Sequence, residues 1–175
     1  MFKCKYLCVI QARLGSSRFP NKVLETVNGI SMVKRVWESS QVIEKLNYRP
    51  GEFKTVVAWP ERYPDLDENN VLERVRRLVQ EFRPRFVIRL TADCPLLRFM
   101  DIERAIKEFE KGKYGYYSNH IDGHDVQIFD PYNCPVKFHN EHVIADFSTQ
   151  STGLSVNTKE DLERVRKICK TKRYS

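Results

Sequence analysis

The chain has 175 residues, of which 41% are hydrophobic and 30% charged. These are the proportions of a globular protein, and they exclude the disordered and fibrous classes. The length suffices for a core without disulfides or metal and makes one domain over 1–175 the default, while 30 Lys and Arg against 23 Asp and Glu leave a charge of +7 that suits nucleotides, sugar acids or nucleic acid.

The start, Met1-Phe2-Lys3-Cys4-Lys5, leads into five apolar-type residues, Tyr6 to Ile10. Such a run is too short for a signal sequence or a membrane span, so a cytoplasmic protein without membrane partners is expected. It has the pattern of a strand covered on both faces. Thr55-Val56-Val57-Ala58-Trp59 and Arg85-Phe86-Val87-Ile88-Arg89-Leu90 repeat that pattern. Between them, Met32, Val33, Val36, Trp37, Ser40 and Ile43, then Val71, Leu72, Val75, Leu78, Val79 and Phe82, recur with helical period. Ile102, Ala105, Ile106 and Phe109 predict a third helix, and Leu162, Val165, Ile168 and Cys169 a fourth. The fourth opens on Thr158-Lys159-Glu160-Asp161, a capping-box pattern. Short strands are expected at Asp125 to Phe129, Pro135 to Phe138 and Leu154 to Val156. Strands alternating with helices, followed by shorter strands, predict a doubly wound α/β sandwich.

The five cysteines are scattered and lack a C-x-x-C pair, which points to a reducing compartment and not to a disulfide framework or zinc ribbon. The basic end, with Arg164, Arg166, Lys167, Lys170, Lys172 and Arg173, reads as a solvated helix face. No RNP-like, helix-turn-helix or zinc-finger pattern supports nucleic acid as a partner.

About twenty residues separate the first strand from the helix opening near Ser31, and they show no evident periodicity; loops of that length are usually functional or disordered. This one is cationic, with Arg13, Arg18 and Lys22, yet anchored by Leu14, Phe19, Pro20, Val23 and Leu24, so it is expected to be ordered. It follows a strand's carboxyl end, where α/β sheets bind ligands, and Gly15-Ser16-Ser17 can offer backbone N–H groups to phosphate oxygens. A surface loop with three unrelated cations is the competing reading. The Walker A pattern is absent, which disfavours a P-loop NTPase.

Ile10-Gln-Ala-Arg-Leu-Gly-Ser-Ser-Arg-Phe-Pro-Asn-Lys-Val-Leu24 resembles the signature of the cytidylyltransferases that make CMP-activated sugars, especially the spore-coat polysaccharide F-type branch. Asn70-Val-Leu-Glu-Arg74, Val87-Ile-Arg-Leu-Thr-Ala-Asp-Cys-Pro-Leu96, Tyr117-Ser-Asn119, Gly123-His-Asp-Val-Gln-Ile-Phe129, Glu141-His-Val143 and Leu154-Ser-Val-Asn-Thr-Lys-Glu-Asp-Leu162 follow in the family's order. Collinear similarity over nearly the whole chain is specific where one segment alone is weak. It implies a three-layer α/β/α, Rossmann-like nucleotidyltransferase fold with a mostly parallel mixed sheet. The implied reaction joins CMP from CTP to a sugar or sugar acid with release of pyrophosphate and with Mg²⁺ as cofactor.

By the same resemblance, Lys22, Arg13 and Asp93 are the catalytic residues. Gln11, Ala12, Arg13, Leu14, Gly15, Ser16, Ser17, Arg18, Lys22, Ala58, Arg89 and Thr91 bind nucleotide, with backbone groups of Gln11 and Ala12 on the base and Lys22 nearest the α-phosphate. Asn119, His120, Asp125 and Gln127 bind the sugar substrate, and Asp93 and Asn157 hold the metal. Related enzymes are commonly dimers, so a homodimer is implied. The chain departs from the family at Asn157, where an Asp is usual, and at Ala92 and Asn21, where Gly is usual. It is also compressed between Trp59 and Asn70 and before Glu141. Asn157 keeps open an alternative, a catalytically weak or inactive relative that binds nucleotide or sugar. Two readings stand beside the resemblance: a transition-metal site built from His120, Asp122 and His124 with His139 and His142, and stacking of Trp59 on a base.

Overall fold

A computed structural model describes residues 1–112, 115–119, 126–133 and 154–171. In chain order its elements are β1 (Cys4–Gln11), β2 (Thr26–Val27), β3 (Ile30–Ser31), α1 (Met32–Asn47), β4 (Phe53–Ala58), α2 (Val71–Phe82), β5 (Pro84–Thr91), α3 (Phe99–Lys111), β6 (Tyr116–Ser118), β7 (Val126–Phe129) and α4 (Lys159–Thr171). The main sheet runs β4-β1-β5-β7-β6. β1 pairs in parallel with β4 and β5, whereas β7 is antiparallel to both β5 and β6. Side chains along a strand alternate between faces. Tyr6, Cys8 and Ile10 meet Val33, Val36 and Ile43 of α1 and Ile102, Ala105, Ile106 and Phe109 of α3. Leu7, Val9 and Val87 meet Val75 and Leu78 of α2 on the opposite side. The result is the expected three-layer α/β/α sandwich with a mixed sheet, and residues 6–10 are fully buried within it. Among the described residues no helix is long and apolar enough to cross a membrane, and Cys4, Cys8, Cys94 and Cys169 are buried thiols.

Three observations bear on these expectations. First, the segment after β1 is ordered, as expected, and contains a 3-10 turn at Lys22–Leu24 and the β2–β3 hairpin, which its lack of evident periodicity did not show. Asn28 and Gly29 form that hairpin's turn with φ of 52° and 78°, the left-handed values a type I′ turn requires at both central residues. Phe19 and Val23 anchor the segment in the core as expected, but Leu24 and Pro20 are exposed. Second, Leu154 to Val156 is not a strand; its backbone is tied down by Val156 N donating to Asp93 O at 2.8 Å. Third, Trp37 keeps the helical period of α1 yet is 39% exposed, on the margin of the buried stripe. The expected strand over Pro135 to Phe138 lies outside the described residues.

α4 does not lie on the main sheet. Its Leu162, Val165 and Cys169 pack with Phe19, Val27, Met32, Leu96 and Val156, so the helix fastens the segment after β1 to the turn after β5. The capping box read from the sequence is present: Asp161 N donates to Thr158 Oγ1 at 3.2 Å, and Thr158 N donates to Asp161 Oδ2 at 2.9 Å. Asp161 Oδ2 also accepts from Asn157 N at 3.0 Å, which fixes the approach of Asn157 to the site below.

Candidate functional site

β1 and β5 end side by side, with Gln11 opposite Thr91 and Val9 opposite Arg89. The strand pleat puts Gln11, Arg89 and Thr91 on the face that α2 covers, but α2 starts only at Val71 and leaves these three polar residues beyond its first turn. They open into a cleft of ≈ 500 Å³ whose walls carry Arg13, Arg18, Lys22, Asn69, Asn70, Asp93 and Asn157. Among the described residues four cations thus line it against one carboxylate, and the positive end of α2 faces it as well. Both features favour an anionic ligand.

The centre of the cleft is Lys22. Its side chain is 3% exposed, and each of its three ammonium protons has an acceptor: Asp93 Oδ2 at 2.6 Å, Val156 O at 2.7 Å and Asn157 Oδ1 at 3.1 Å. Three segments far apart in sequence therefore converge on one nitrogen. Asp93, at 23% side-chain exposure, retains a face toward the cleft. A buried ammonium is stable only with such full pairing.

Arg89 forms the floor and is 6% exposed. Its Nη1 donates to Gln127 Oε1 at 2.6 Å, its Nε donates to Gln11 Oε1 at 2.8 Å, and Nη2 reaches the same Gln11 oxygen. Burial pulls this guanidinium down to about 10, with Tyr116, Asp93 and Cys94 acting in the opposite direction. It stays charged at neutral pH.

The resemblance-derived residues fall into three groups. Gln11, Arg13, Arg18, Lys22, Arg89, Thr91, Asp93 and Asn157 line the cleft together. Leu14 lines a neighbouring hollow with Leu24, Val57, Trp59, Glu61 and Arg62, while Ala12 and Ala58 are buried and Gly15, Ser16 and Ser17 lie in the bend between Leu14 and Lys22. Of the substrate set, Gln127 is 1% exposed and holds Arg89, and Asn119 Oδ1 accepts from Val126 N at 2.9 Å, closing the approach of β6 to β7. His120 and Asp125 lie outside the described residues, as do Asp122, His124, His139 and His142 of the transition-metal reading. The two departures at glycine positions fit locally. Asn21 sits at φ 58°, a left-handed conformation that Asn tolerates better than most residues, and Ala92 keeps φ negative.

The sequence assigned no role to Arg74, which closes one of the resembling segments, or to Glu68. Arg74, on the inner face of α2, is the largest fully buried side chain among the described residues, at 1% exposure. Its Nη1 donates to Glu68 O at 2.6 Å and its Nη2 to Ala12 O at 3.4 Å; burial lowers its pKa, and the charge of Glu68 raises it. Two signals pointed to Arg74: it closes the resembling segment that begins at Asn70, and it falls beside Val75 and Leu78 on the buried face of α2.

The family profile described as Cytidylyltransferase matches residues 7–58 and 65–173. An 8-amino-3,8-dideoxy-manno-octulosonate cytidylyltransferase of Shewanella sp. (strain ANA-3) is 25% identical over 167 residues, covering 87% of this chain and 68% of that relative. Among solved structures, a cytidylyltransferase from Leptospira borgpetersenii superposes with a TM-score of 0.68 at 15% identity, over 98% of this chain and 88% of its own. The structure of CMP:2-keto-3-deoxy-manno-octonic acid synthetase complexed with CTP gives 0.65 at 15% identity, over 95% and 99%. At such identities the superpositions speak to the fold, which is the Rossmann-like nucleotidyltransferase fold, and the profile match speaks to kinship. The chain belongs to the cytidylyltransferase family, a family of enzymes.

Proposed function

We propose that this chain transfers CMP from CTP to an oxygen of a sugar acid, releasing pyrophosphate. The observation that carries the reading is the cleft lined by Arg13, Arg18, Lys22 and Arg89 with Asp93, the one carboxylate among its described residues. A triphosphate brings roughly the charge those cations offset, and its transfer chemistry needs positioning and neutralisation more than covalent help. The acceptor oxygen forms a bond to the α-phosphorus as the bond to the bridging β-phosphate oxygen breaks; the acceptor's proton leaves to solvent. Arg13 and Arg18 hold the outer phosphates, which become the departing pyrophosphate. Lys22 lies deepest and takes the α-phosphate as charge develops there, its ammonium kept in place by Asp93, Val156 and Asn157. The sugar-acid class is drawn from the octulosonate relative and accords with the excess positive charge. The reaction is assigned to the cytoplasm.

Mg²⁺ fits the donor set. Asp93 Oδ2 and Asn157 Oδ1 already converge on one cationic centre, the Lys22 ammonium, and Mg²⁺ is commonly held by one or two carboxylates plus substrate phosphates. Asp93, seconded by Asn157, would hold it, and when bound it would neutralise phosphate charge.

A second reading, a relative that binds nucleotide but turns it over slowly, is favoured by Asn157 alone, because a carboxamide is a weaker Mg²⁺ ligand than a carboxylate. Incubation with CTP, Mg²⁺ and a panel of 3-deoxy-octulosonic acids, including the 8-amino form, separates the two. Pyrophosphate release with a CMP-sugar product, lost in Asp93→Asn and Lys22→Ala, is expected. Tight CTP binding without pyrophosphate from any acceptor would establish the second reading in place of the first.

A further inference from the structure

The backbone N–H groups of Leu14 and Gly15 point at a single acceptor, Glu68 Oε1, with Gly15 N at 2.7 Å and Leu14 N in closer contact. Consecutive N–H groups converging in this way form a nest for an anion. In this chain the anion is its own carboxylate, supplied from 53 residues away. A Cβ on Gly15 would collide with Glu68 Oε2, so the absence of a side chain at residue 15 is what lets the carboxylate enter. The residue beside it acts in the same sense: Asn69 Oδ1 accepts from Arg13 Nη1 at 3.1 Å, engaging one of the cations that line the cleft.

The segment carrying these two residues is held in position from below. Arg74 spans from Glu68 O to Ala12 O and so fastens the backbone of this segment to the backbone of the loop it covers. The clamp is kept although Arg74 is buried and its Nε has no acceptor among the described residues, an arrangement that costs stability. Glu68 itself is only half-buried, so its carboxylate has a route out to water while its backbone stays clamped.

We propose that Glu68, with Asn69, is an internal latch that occupies the anion nest of residues 14–15 and diverts Arg13 until an incoming triphosphate displaces it. The proposal rests on the reading of this loop as the triphosphate site. The latch satisfies the loop's donors when no ligand is present, keeping the loop ordered, and it sets a threshold: a polyanion with several phosphates displaces the carboxylate, whereas a single weakly charged anion does not. The apparent affinity of a ligand falls by the fraction of molecules that are open, so a latch closed nine-tenths of the time weakens binding about ten-fold.

The test is calorimetric titration of wild type, Glu68→Ala and Glu68→Asp with tripolyphosphate in metal-free buffer, after circular dichroism and a thermal melt show that all three are folded. Glu68→Asp keeps the charge but withdraws the carboxylate by about 1.5 Å, one carbon–carbon bond, beyond hydrogen-bond reach of the nest. Roughly ten-fold tighter binding by both variants is expected. Tightening in Glu68→Ala alone would mean that the carboxylate acts only as a diffuse negative charge, and the latch would be overturned. Wild-type binding that neither variant improves would overturn the latch and leave the triphosphate reading intact. If none of the three binds tripolyphosphate, both fall together.

Discussion

Replacing Lys22 by Met keeps the length and most of the volume of the side chain but removes the ammonium on which Asp93, Val156 and Asn157 converge. Taking one partner from a buried ion pair costs about 3–5 kcal/mol, mainly because the other charge stays buried without compensation. Asp93 is 23% exposed, so water recovers part of that loss and the low end, about 3 kcal/mol, applies. For a chain of this size each kcal/mol moves Tm by roughly 2–4 °C, which predicts a fall on the order of 6–12 °C, with an equivalent drop in the urea midpoint at unchanged m-value. The diagnostic step is the double variant. Asp93→Asn added to Lys22→Met removes the stranded charge, so the pair should be less destabilised than the sum of the single changes by about 1–3 kcal/mol. Urea denaturation of the four proteins measures this coupling. Additivity within about 0.5 kcal/mol would refute the assignment of Lys22 and Asp93 as an interdependent buried pair.

Two further outcomes follow from the same geometry. Asn157→Asp places a second carboxylate beside Lys22 and is expected to strengthen the Mg²⁺ dependence of CTP binding, because Mg²⁺ prefers carboxylate ligands, measured by titrating CTP at a series of Mg²⁺ concentrations; an unchanged dependence would remove Asn157 from the metal set. Asp161→Ala removes the carboxylate half of the α4 capping box, which accepts from Thr158 N and Asn157 N and steadies Asn157, at a cost of about 1 kcal/mol near neutral pH. Backbone N–H groups of Asn157 and then Thr158 hold the Asp161 carboxyl below its ordinary range, so its stabilisation is fully present above the unfolded pKa of about 4 and is lost as pH falls through the lower folded value. The stability gap between wild type and Asp161→Ala, followed by urea denaturation, should therefore close below about pH 4; a gap that persists at low pH would contradict the cap.

The parallel core of the sheet was legible because burial on both faces leaves an unbroken apolar run, as at Tyr6 to Ile10. α2 was legible because one face packs and the other is wet. The β2–β3 hairpin carried an equally plain signal in Asn28-Gly29, but two-residue strands are too short to show alternation. Leu154 to Val156 has strand composition, yet it is held by one backbone bond to Asp93 and by side-chain packing on α4, which composition does not distinguish from a sheet ladder. Within the site, the resemblance located Arg13, Lys22, Asp93 and Asn157, and the structure brought them within one cleft. Gln127 and Asn119 also hold Arg89 and the β6–β7 junction, because a polar residue beside a site has partners of its own that a motif does not reveal. The contact of Glu68 with the nest could not be read at all: a carboxylate in a polar stretch looks solvated, and only the folded chain carries it to Leu14 and Gly15.

The most direct measurement is calorimetric titration of the protein with CTP, ATP, GTP and UTP, each with and without Mg²⁺, alongside Lys22→Ala. The expected result is selective CTP binding, strengthened by Mg²⁺ and lost in the variant. Equal affinity for all four nucleotides, or binding of none, would contradict a cytidylyltransferase site in the cleft between Lys22, Arg89 and Asp93.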